Sequence, residues 1–221
     1  MDTVVVFDPA PGPGGGAPET IVFSASEWVD TSADLATLES EFVIACRVTR
    51  KAAASVTTWI ASSGNGAGDT YVSIDGANDR HGVKLESDTG TSLLASAGTS
   101  NEWETDETNS IVVACKSGSL NVYFNSNTPV ASDIDAFATV KAMLYLNSSD
   151  NAGADAAAME WIGGVWISAQ AGAGDLTYND FFDGAGLPTF GTGSVGGVAA
   201  DVALTTVAQF NAYGGMNGTA T

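Results

Sequence analysis

Positive charge is scarce in this chain of 221 residues, which has seven lysines and arginines against 26 aspartates and glutamates. The resulting formal net charge of −19 at pH 7 repels nucleic-acid phosphates and anionic membranes. We therefore expect no nucleic-acid partner and no attraction to an anionic lipid surface. A solvated acidic surface that keeps the chain soluble is the simplest interpretation of this charge.

Histidine and cysteine are nearly absent as well, with one and two residues. His81 has neither a cysteine close by in the sequence nor a serine in a nucleophile elbow, which argues against a zinc site and against a catalytic triad. Cys46 and Cys115 each lie within an apolar, strand-like run. We expect buried free thiols, while a disulfide between neighbouring strands stays open, because two cysteines do not define a framework.

Long apolar runs are missing too. No run approaches the roughly 20 residues of a membrane-spanning helix, and residues 1–8 lack the basic and apolar regions of a secretory signal. We therefore expect no membrane insertion, and synthesis in the cytoplasm without a signal peptide. Apolar residues nevertheless make up 44% of the chain and charged residues 15%, which suffices for a substantial core.

The two ends of the chain differ in composition from its middle. Prolines and glycines fill residues 8–19 and preclude regular hydrogen-bonded structure there, after a short apolar strand at residues 4–7. The C-terminal residues are rich in Gly, Ala and Thr. We predict three parts: an N-terminal arm over residues 1–19, a single domain over residues 20–190 and a C-terminal extension over residues 191–221.

Apolar residues of the middle region recur with a period of two. Residues 41–49 have larger apolar side chains at alternate positions, with Ala45, Arg47 and Thr49 between them, which predicts a half-buried antiparallel strand. Clusters of Gly, Ser, Asn and Asp separate similar runs. The further predicted strands are residues 56–60, 71–74, 83–85, 111–116, 120–124, 143–146 and 159–167. Many short strands with frequent turns predict an all-β sandwich or barrel.

Helical signals are few. One short helix is predicted over residues 176–182, with Asp175 as its N-cap and Gly184 as its stop. Residues 202–213 are compatible with a second helix that ends at Gly214.

Three stretches resemble the laminin-G-like, concanavalin A-like jelly roll in their order and residue types. Residues 21–28, IVFSASEW, look like its opening strand, and residues 111–131 are similar to its paired strands that end in a Tyr-x-Asn turn. Residues 159–168, MEWIGGVWIS, resemble its late strand before a short helix. The resemblance implies an all-β, two-sheet antiparallel jelly-roll sandwich with one short helix and extended N- and C-terminal arms. Its members range from lectins and glycoside hydrolases to virion appendages, so it implies a fold and no single activity.

Glu102, Glu104 and Asp106 alternate along the chain with the spacing found in hydrolases of this fold. The spacing is of interest because retaining glycoside hydrolysis needs two carboxylates close together. They precede a strand as a polar connection, without the apolar flanks that would raise one pKa. We therefore predict a solvated acidic loop and no enzyme activity.

Two oxygen-rich loops offer Asp69, Asp75, Asn78 and Asp79 as calcium ligands. Their spacing fits no fixed calcium loop, and Asp, Asn and Gly are also the residues of ordinary turns, which we favour. Calcium is thus the one candidate ion, and no other cofactor is expected.

Five tryptophans, Trp28, Trp59, Trp103, Trp161 and Trp166, include candidates for a sugar-stacking platform. Trp161 and Trp166 lie on opposite faces of one predicted strand, which predicts an exposed ring for one of them. Large aromatic residues in a sandwich are nevertheless core residues more often than platforms.

Together with the resemblance, the acidic charge, the strand-bearing arm and the missing signal peptide predict a structural virion protein of a bacteriophage, either a head decoration protein or part of a tail fibre or spike. The arm would add a strand to a neighbouring virion protein in a symmetric homo-oligomeric assembly, and the loops would contact host surface glycans. The alternative is a carbohydrate-binding module of an extracellular or surface protein.

Overall fold

The computed structural model describes residues 18–25, 27–31, 41–51, 58–62, 71–74, 81–86, 92–97, 105–116, 119–133, 145–148 and 156–212. The predicted strand at residues 4–7 and nearly all of the predicted N-terminal arm lie outside this part of the chain.

The described residues form two antiparallel β-sheets. In chain order the strands are β1 (Thr20–Phe23), β2 (Val29–Asp30), β3 (Phe42–Arg50), β4 (Thr58–Ser62), β5 (Tyr71–Ile74), β6 (His81–Glu86), β7 (Ser92–Ala97), β8 (Thr108–Lys116), β9 (Ser119–Phe124), β10 (Pro129–Asp133), β11 (Tyr145–Leu146), β12 (Met159–Ser168) and β13 (Val202–Leu204). The seven-stranded sheet has the order β1-β12-β3-β8-β9-β10, with β13 also paired to β12, and the six-stranded sheet has the order β2-β11-β4-β5-β6-β7. The predicted two-sheet antiparallel sandwich is confirmed.

The main core lies between the two sheets. The alternating apolar residues of β3 meet residues of the opposite sheet such as Ile60 and Leu146, and all of them are buried. Cys46 and Cys115 belong to this core and are free thiols, as predicted. Cys46 is paired with Ile111, whereas Cys115 is paired with Phe42, four residues further along the strands. This offset corresponds to about 13 Å, which is too far for a disulfide.

A third layer covers the outer face of the seven-stranded sheet. It consists of residues 173–200, here called the C-terminal cover, whose Phe181 and Phe190 pack in a second core with Ala45 and Trp166. The prediction that β3 is half-buried is therefore wrong, because Ala45 is fully buried and Thr49 nearly so on the face that was expected to meet solvent.

The C-terminal residues up to Ala212 continue the sandwich, and the predicted boundary at residue 190 does not coincide with a break in packing. Val202 and Leu204 are buried on β13, which pairs with β12. Helix α2 follows at Val207–Ala212 and buries Phe210. The proposed single helix over residues 202–213 is thus a strand followed by a helix, because the alternation of Val202 and Leu204 fits an open stretch of sheet edge beside β12.

Helix α1 spans Tyr178–Phe181, within the predicted range, but Asp175 is not its N-cap. Asp175 ends a 3₁₀ turn at Ala173–Asp175 and forms an ion pair with Lys116 at 2.5 Å. The N-cap is Thr177, whose backbone N–H and hydroxyl both donate to the Asp180 carboxylate, at 2.7 and 2.9 Å. The helix starts later than predicted because the extended backbone of Leu176 separates it from the 3₁₀ turn.

Candidate functional site

One outer face of the sandwich is occupied by the chain itself. The C-terminal cover, which includes α1, packs on the seven-stranded sheet, while α2 packs through Phe210 against Phe23 of β1 and Trp161 of β12. The outer face of the six-stranded sheet, here called the outer face, is therefore the face that the described helices leave uncovered.

Strand register identifies which residues occupy the outer face. Directly opposed residues of antiparallel strands share a face, and successive residues alternate between faces. Leu146 is opposite Ala61, and both are fully buried in the core. Tyr145 and Ser62, the next opposed pair, therefore occupy the outer face.

Two rows of outer-face positions run across the strands. The first row contains Asp30, Tyr145, Ser62 and Tyr71, on β2, β11, β4 and β5. The second row contains Trp59, Ser73, Lys84 and Leu94, on β4, β5, β6 and β7.

Three aromatic positions are grouped on this face. Tyr145 and Tyr71 are two strands apart in the first row, which corresponds to about 10 Å. Trp59 and Tyr71 are diagonal neighbours on adjacent strands, about 7–8 Å apart. The strand order thus brings together residues that are up to 86 positions apart in the sequence.

The β2 end of the outer face is partly covered. The rings of Trp28 and Tyr145 meet edge to face with centroids 6.1 Å apart, and Trp28 is only 9% exposed. Ser62 is fully buried, and Tyr145 is half-buried. A ligand here would meet the edge of an enclosed region rather than an open plane.

Hydrogen bonds of the buried Asn147 side chain fix the position of Tyr145. Asn147 follows β11 with a φ of 57°, and its side-chain amide donates to the backbone carbonyls of Glu27 at 2.8 Å and Ala157 at 2.9 Å. The Glu27 carboxylate in turn accepts the Ser24 N–H at 2.6 Å. Two connections between the sheets are therefore tied to the end of β11, and this limits the movement of the adjoining aromatic residue.

The predicted calcium ligands Asp69, Asp75, Asn78 and Asp79 lie outside the described residues, so that site stays a prediction. Strand β5 lies between the first of them and the other three. Among the residues that the structure describes, no group of three or more His, Cys, Asp or Glu side chains is arranged to hold a metal ion.

The predicted acidic loop is described only at its end. Glu102 and Glu104 lie outside the described residues. Asp106 occupies a turn with a φ of 68°, its side chain is 71% exposed, and it accepts a hydrogen bond from Lys51 at 2.8 Å. This hydrogen bond is the main cause that raises the pKa of Lys51. A solvated, paired carboxylate of this kind fits the predicted acidic loop and lacks the desolvation that a general acid requires.

The tryptophan prediction needs correction. Trp161 and Trp166 do lie in different clusters on opposite faces of β12, but both are fully buried. The C-terminal cover explains the difference, because it closes the face that was expected to be open to solvent. Trp59 keeps an outer-face position, and Trp103 lies outside the described residues.

Tyr71 and Tyr145 were not recognised in the sequence. Each stands in a predicted strand at a position that alternates with apolar residues, which is the available signal. Their proximity depends on the pairing of β11 with β4, which the order of residues along the chain does not reveal.

No protein-family model and no curated protein matches the chain. Solved structures match at low identity. A candidate carbohydrate binding protein from Bacteroides ovatus is 9% identical over 70% of this chain and 44% of that chain, with a TM-score of 0.51. Domains LG4-5 of the mouse laminin α1 chain are 11% identical over 75% and 47%, with a TM-score of 0.49. Full-length tailspike protein 2 of an Escherichia coli bacteriophage is 13% identical over 68% and 25%, with a TM-score of 0.42.

The chain has the laminin G-like, concanavalin A-like jelly-roll fold. The matched region spans less than half of each of these three chains. The likeness is therefore one of fold and assigns no activity. Within the described residues, no helix is long and apolar enough to cross a membrane.

Proposed function

We propose that this domain is a lectin-like binding domain that holds carbohydrate, without catalysis, against the outer face of its six-stranded sheet. The observation that carries the proposal is the grouping of Tyr145, Trp59 and Tyr71 at neighbouring positions of that face. The C–H face of a pyranose ring is apolar and packs well against aromatic rings, while its hydroxyl groups need polar partners. The solved structure with a TM-score of 0.51 is named as a candidate carbohydrate binding protein, which is consistent with this proposal.

The proposal leaves out catalysis, and the spacing of the carboxylates at described outer-face positions supports this. Asp30 is on β2, and Glu86, which is opposite Ser92, is on β6. Four strand spacings separate them, about 19 Å. Glycoside hydrolysis needs two carboxyl groups about 5–9.5 Å apart. These two residues are therefore too far apart to act as an acid and nucleophile pair on one sugar.

Binding of an immobilised glycan panel tests the proposal. The Trp59→Ala and Tyr145→Ala variants should each weaken the binding of any glycan that the intact chain captures by about tenfold, because each loses an aromatic contact. Leu187→Ala is the matched control, since Leu187 is 39% exposed on the C-terminal cover, away from the outer face. The proposal fails if no glycan is captured, or if both aromatic variants bind as tightly as the control.

The proposed place of this domain is the surface of a bacteriophage particle, as a head decoration protein or a tail fibre or spike component. The support comes from the sequence: a net charge of −19 keeps neighbouring particles apart, and residues 1–19 combine a short apolar strand with a Pro- and Gly-rich linker. The strand would add to a sheet of a neighbouring subunit. The alternative is a carbohydrate-binding module of an extracellular protein.

Light scattering after size-exclusion chromatography distinguishes a virion component from a carbohydrate-binding module. The intact chain should self-associate, and a chain without residues 1–17 should be a folded monomer that still binds glycan. If both chains are folded monomers, assembly through the arm is excluded and the carbohydrate-binding module becomes the better proposal.

A further inference from the structure

The outer face has two chemically different halves. The half formed by β11, β4 and β5 contains the three aromatic positions already described. The half formed by β6 and β7 has Gly82 opposite Ser96, Lys84 opposite Leu94 and Glu86 opposite Ser92, so two serine positions stand on β7 to either side of Leu94. Hydroxyl groups of serine both donate and accept hydrogen bonds, so this half suits the hydroxyls of a sugar.

The charge of the outer face disfavours anionic ligands. Among the described residues, the charged positions on this face are Asp30 on β2 and, two residues apart on β6, Lys84 and Glu86. The whole chain adds a formal net charge of −19. A sulfated or carboxylated glycan would be repelled before it reached the face, whereas an uncharged glycan would not.

The extent of the outer face exceeds a single sugar unit. Four strand spacings separate Tyr145 on β11 from Ser92 on β7, which corresponds to about 19 Å. A monosaccharide on the aromatic half would leave the serine positions of β7 without contact. Only a chain of several sugar units, laid across the strands, would contact both halves.

From the juxtaposition of aromatic positions on β11, β4 and β5 with serine positions on β7, we infer that the ligand of the outer face is an uncharged oligosaccharide of several units. The inference rests on the proposed function and specifies the class of ligand. The aromatic half anchors one part of the oligosaccharide by stacking, and the serine half binds the hydroxyl groups of the remainder.

A length series tests the inference. The intact chain is titrated with uncharged gluco-, manno- and galacto-oligosaccharides of one to six units, and with sulfated counterparts of the same lengths. For the backbone that binds, affinity should rise by about tenfold or more from the shortest to the longest member. Sulfated counterparts should bind at least about tenfold more weakly at low salt, and the difference should shrink at about 0.5 M NaCl, where charges are screened.

Variants in the two halves separate their roles. Trp59→Ala should weaken binding at every length, because the anchor is lost. A Ser92→Ala, Ser96→Ala double variant should remove most of the gain in affinity with length, so that the longest oligosaccharide binds little more tightly than the shortest one that is bound. Thermal unfolding of each variant is measured alongside, so that a loss of fold is not mistaken for a loss of contact.

Two groups of outcomes are distinct. Affinity that does not change with length, a serine variant that binds like the intact chain, or a preference for sulfated oligosaccharides would overturn the inference while glycan binding itself stands. If no oligosaccharide binds at any length, or if Trp59→Ala and Tyr145→Ala both bind as tightly as the control, the proposed function fails and the inference fails with it.

Discussion

The contribution of the C-terminal residues to stability can be measured at one side chain, Phe210. Its ring is fully buried and lies 5.7 Å from that of Phe23 and 6.1 Å from that of Trp161, between centroids. Replacing a buried phenylalanine by alanine costs about 3–5 kcal/mol, because transfer free energy is lost and a cavity remains. Helix α2 is short and near the end of the described chain, so partial collapse into the cavity favours the lower end, about 3 kcal/mol.

Urea unfolding followed by tryptophan fluorescence is the appropriate assay for Phe210→Ala, because Trp161 is in contact with the altered site. The midpoint should fall while the slope of free energy against urea stays the same, since the surface exposed on unfolding hardly changes. A loss of about 3 kcal/mol is a large share of the roughly 5–15 kcal/mol that stabilises a domain.

The matched control is Asn211→Ala, at an exposed position of the same helix, which should change the free energy of unfolding by no more than about 0.5 kcal/mol. The reasoning is refuted if Phe210→Ala costs less than about 1 kcal/mol, since the helix would then be an appendage, as the predicted C-terminal extension implied.

Two further predictions concern the bulge in β12 and the core thiols. Gly164→Ala should lower the free energy of unfolding by about 3 kcal/mol or more, because Gly164 has a φ of 81° and an added Cβ would lie 1.7 Å from the Leu204 carbonyl oxygen. Gly184→Ala is the control. It has open space around the added Cβ and should hardly change the free energy of unfolding in the same urea assay. Burial raises the pKa of Cys46 and of Cys115 from 9.0 to about 12. The native thiols should therefore resist alkylation at pH 8 until urea unfolds the chain. Above about pH 9 the folded state binds more protons than the unfolded state, so the free energy of unfolding should fall as the pH rises. Rapid alkylation of the folded protein at pH 8 would contradict the burial of both thiols.

The strands that the sequence predicted correctly are those with strong alternation or β-branched runs, such as β3, β8, β9 and β12. Strand β7, with the sequence SLLASA, was missed because it has no β-branched or aromatic residue. Strand β2 has only two residues, so no period can be recognised in it. Its place in the six-stranded sheet follows from its pairing with β11, a contact between distant parts of the chain.

The error about the burial of β3 has an identifiable physical cause. Alternation predicts one solvent-facing side, but Val43, Ala45 and Thr49 are uncharged, and a strand buried on both faces is rich in such residues. Arg47 is the exception on this face, and its guanidinium donates to the Ser110 hydroxyl at 2.9 Å and to the Gly186 carbonyl. The one charged residue therefore holds the C-terminal cover in place, a role that no pattern within β3 predicts.

The two outer faces of the sandwich differ in whether a described helix packs on them, and this difference supports the location of the proposed binding site. The seven-stranded sheet buries its apolar outer residues under phenylalanines of its own chain, so a ligand could reach it only by displacing Phe181 and Phe190 from a packed core. Displacing two such residues would cost several kcal/mol of free energy, which is more than a weak contact with a glycan contributes. Neither described helix packs on the aromatic positions of the six-stranded sheet, although Trp28 partly covers Tyr145 at its β2 end. A sugar ligand is therefore expected on the outer face rather than on the seven-stranded sheet.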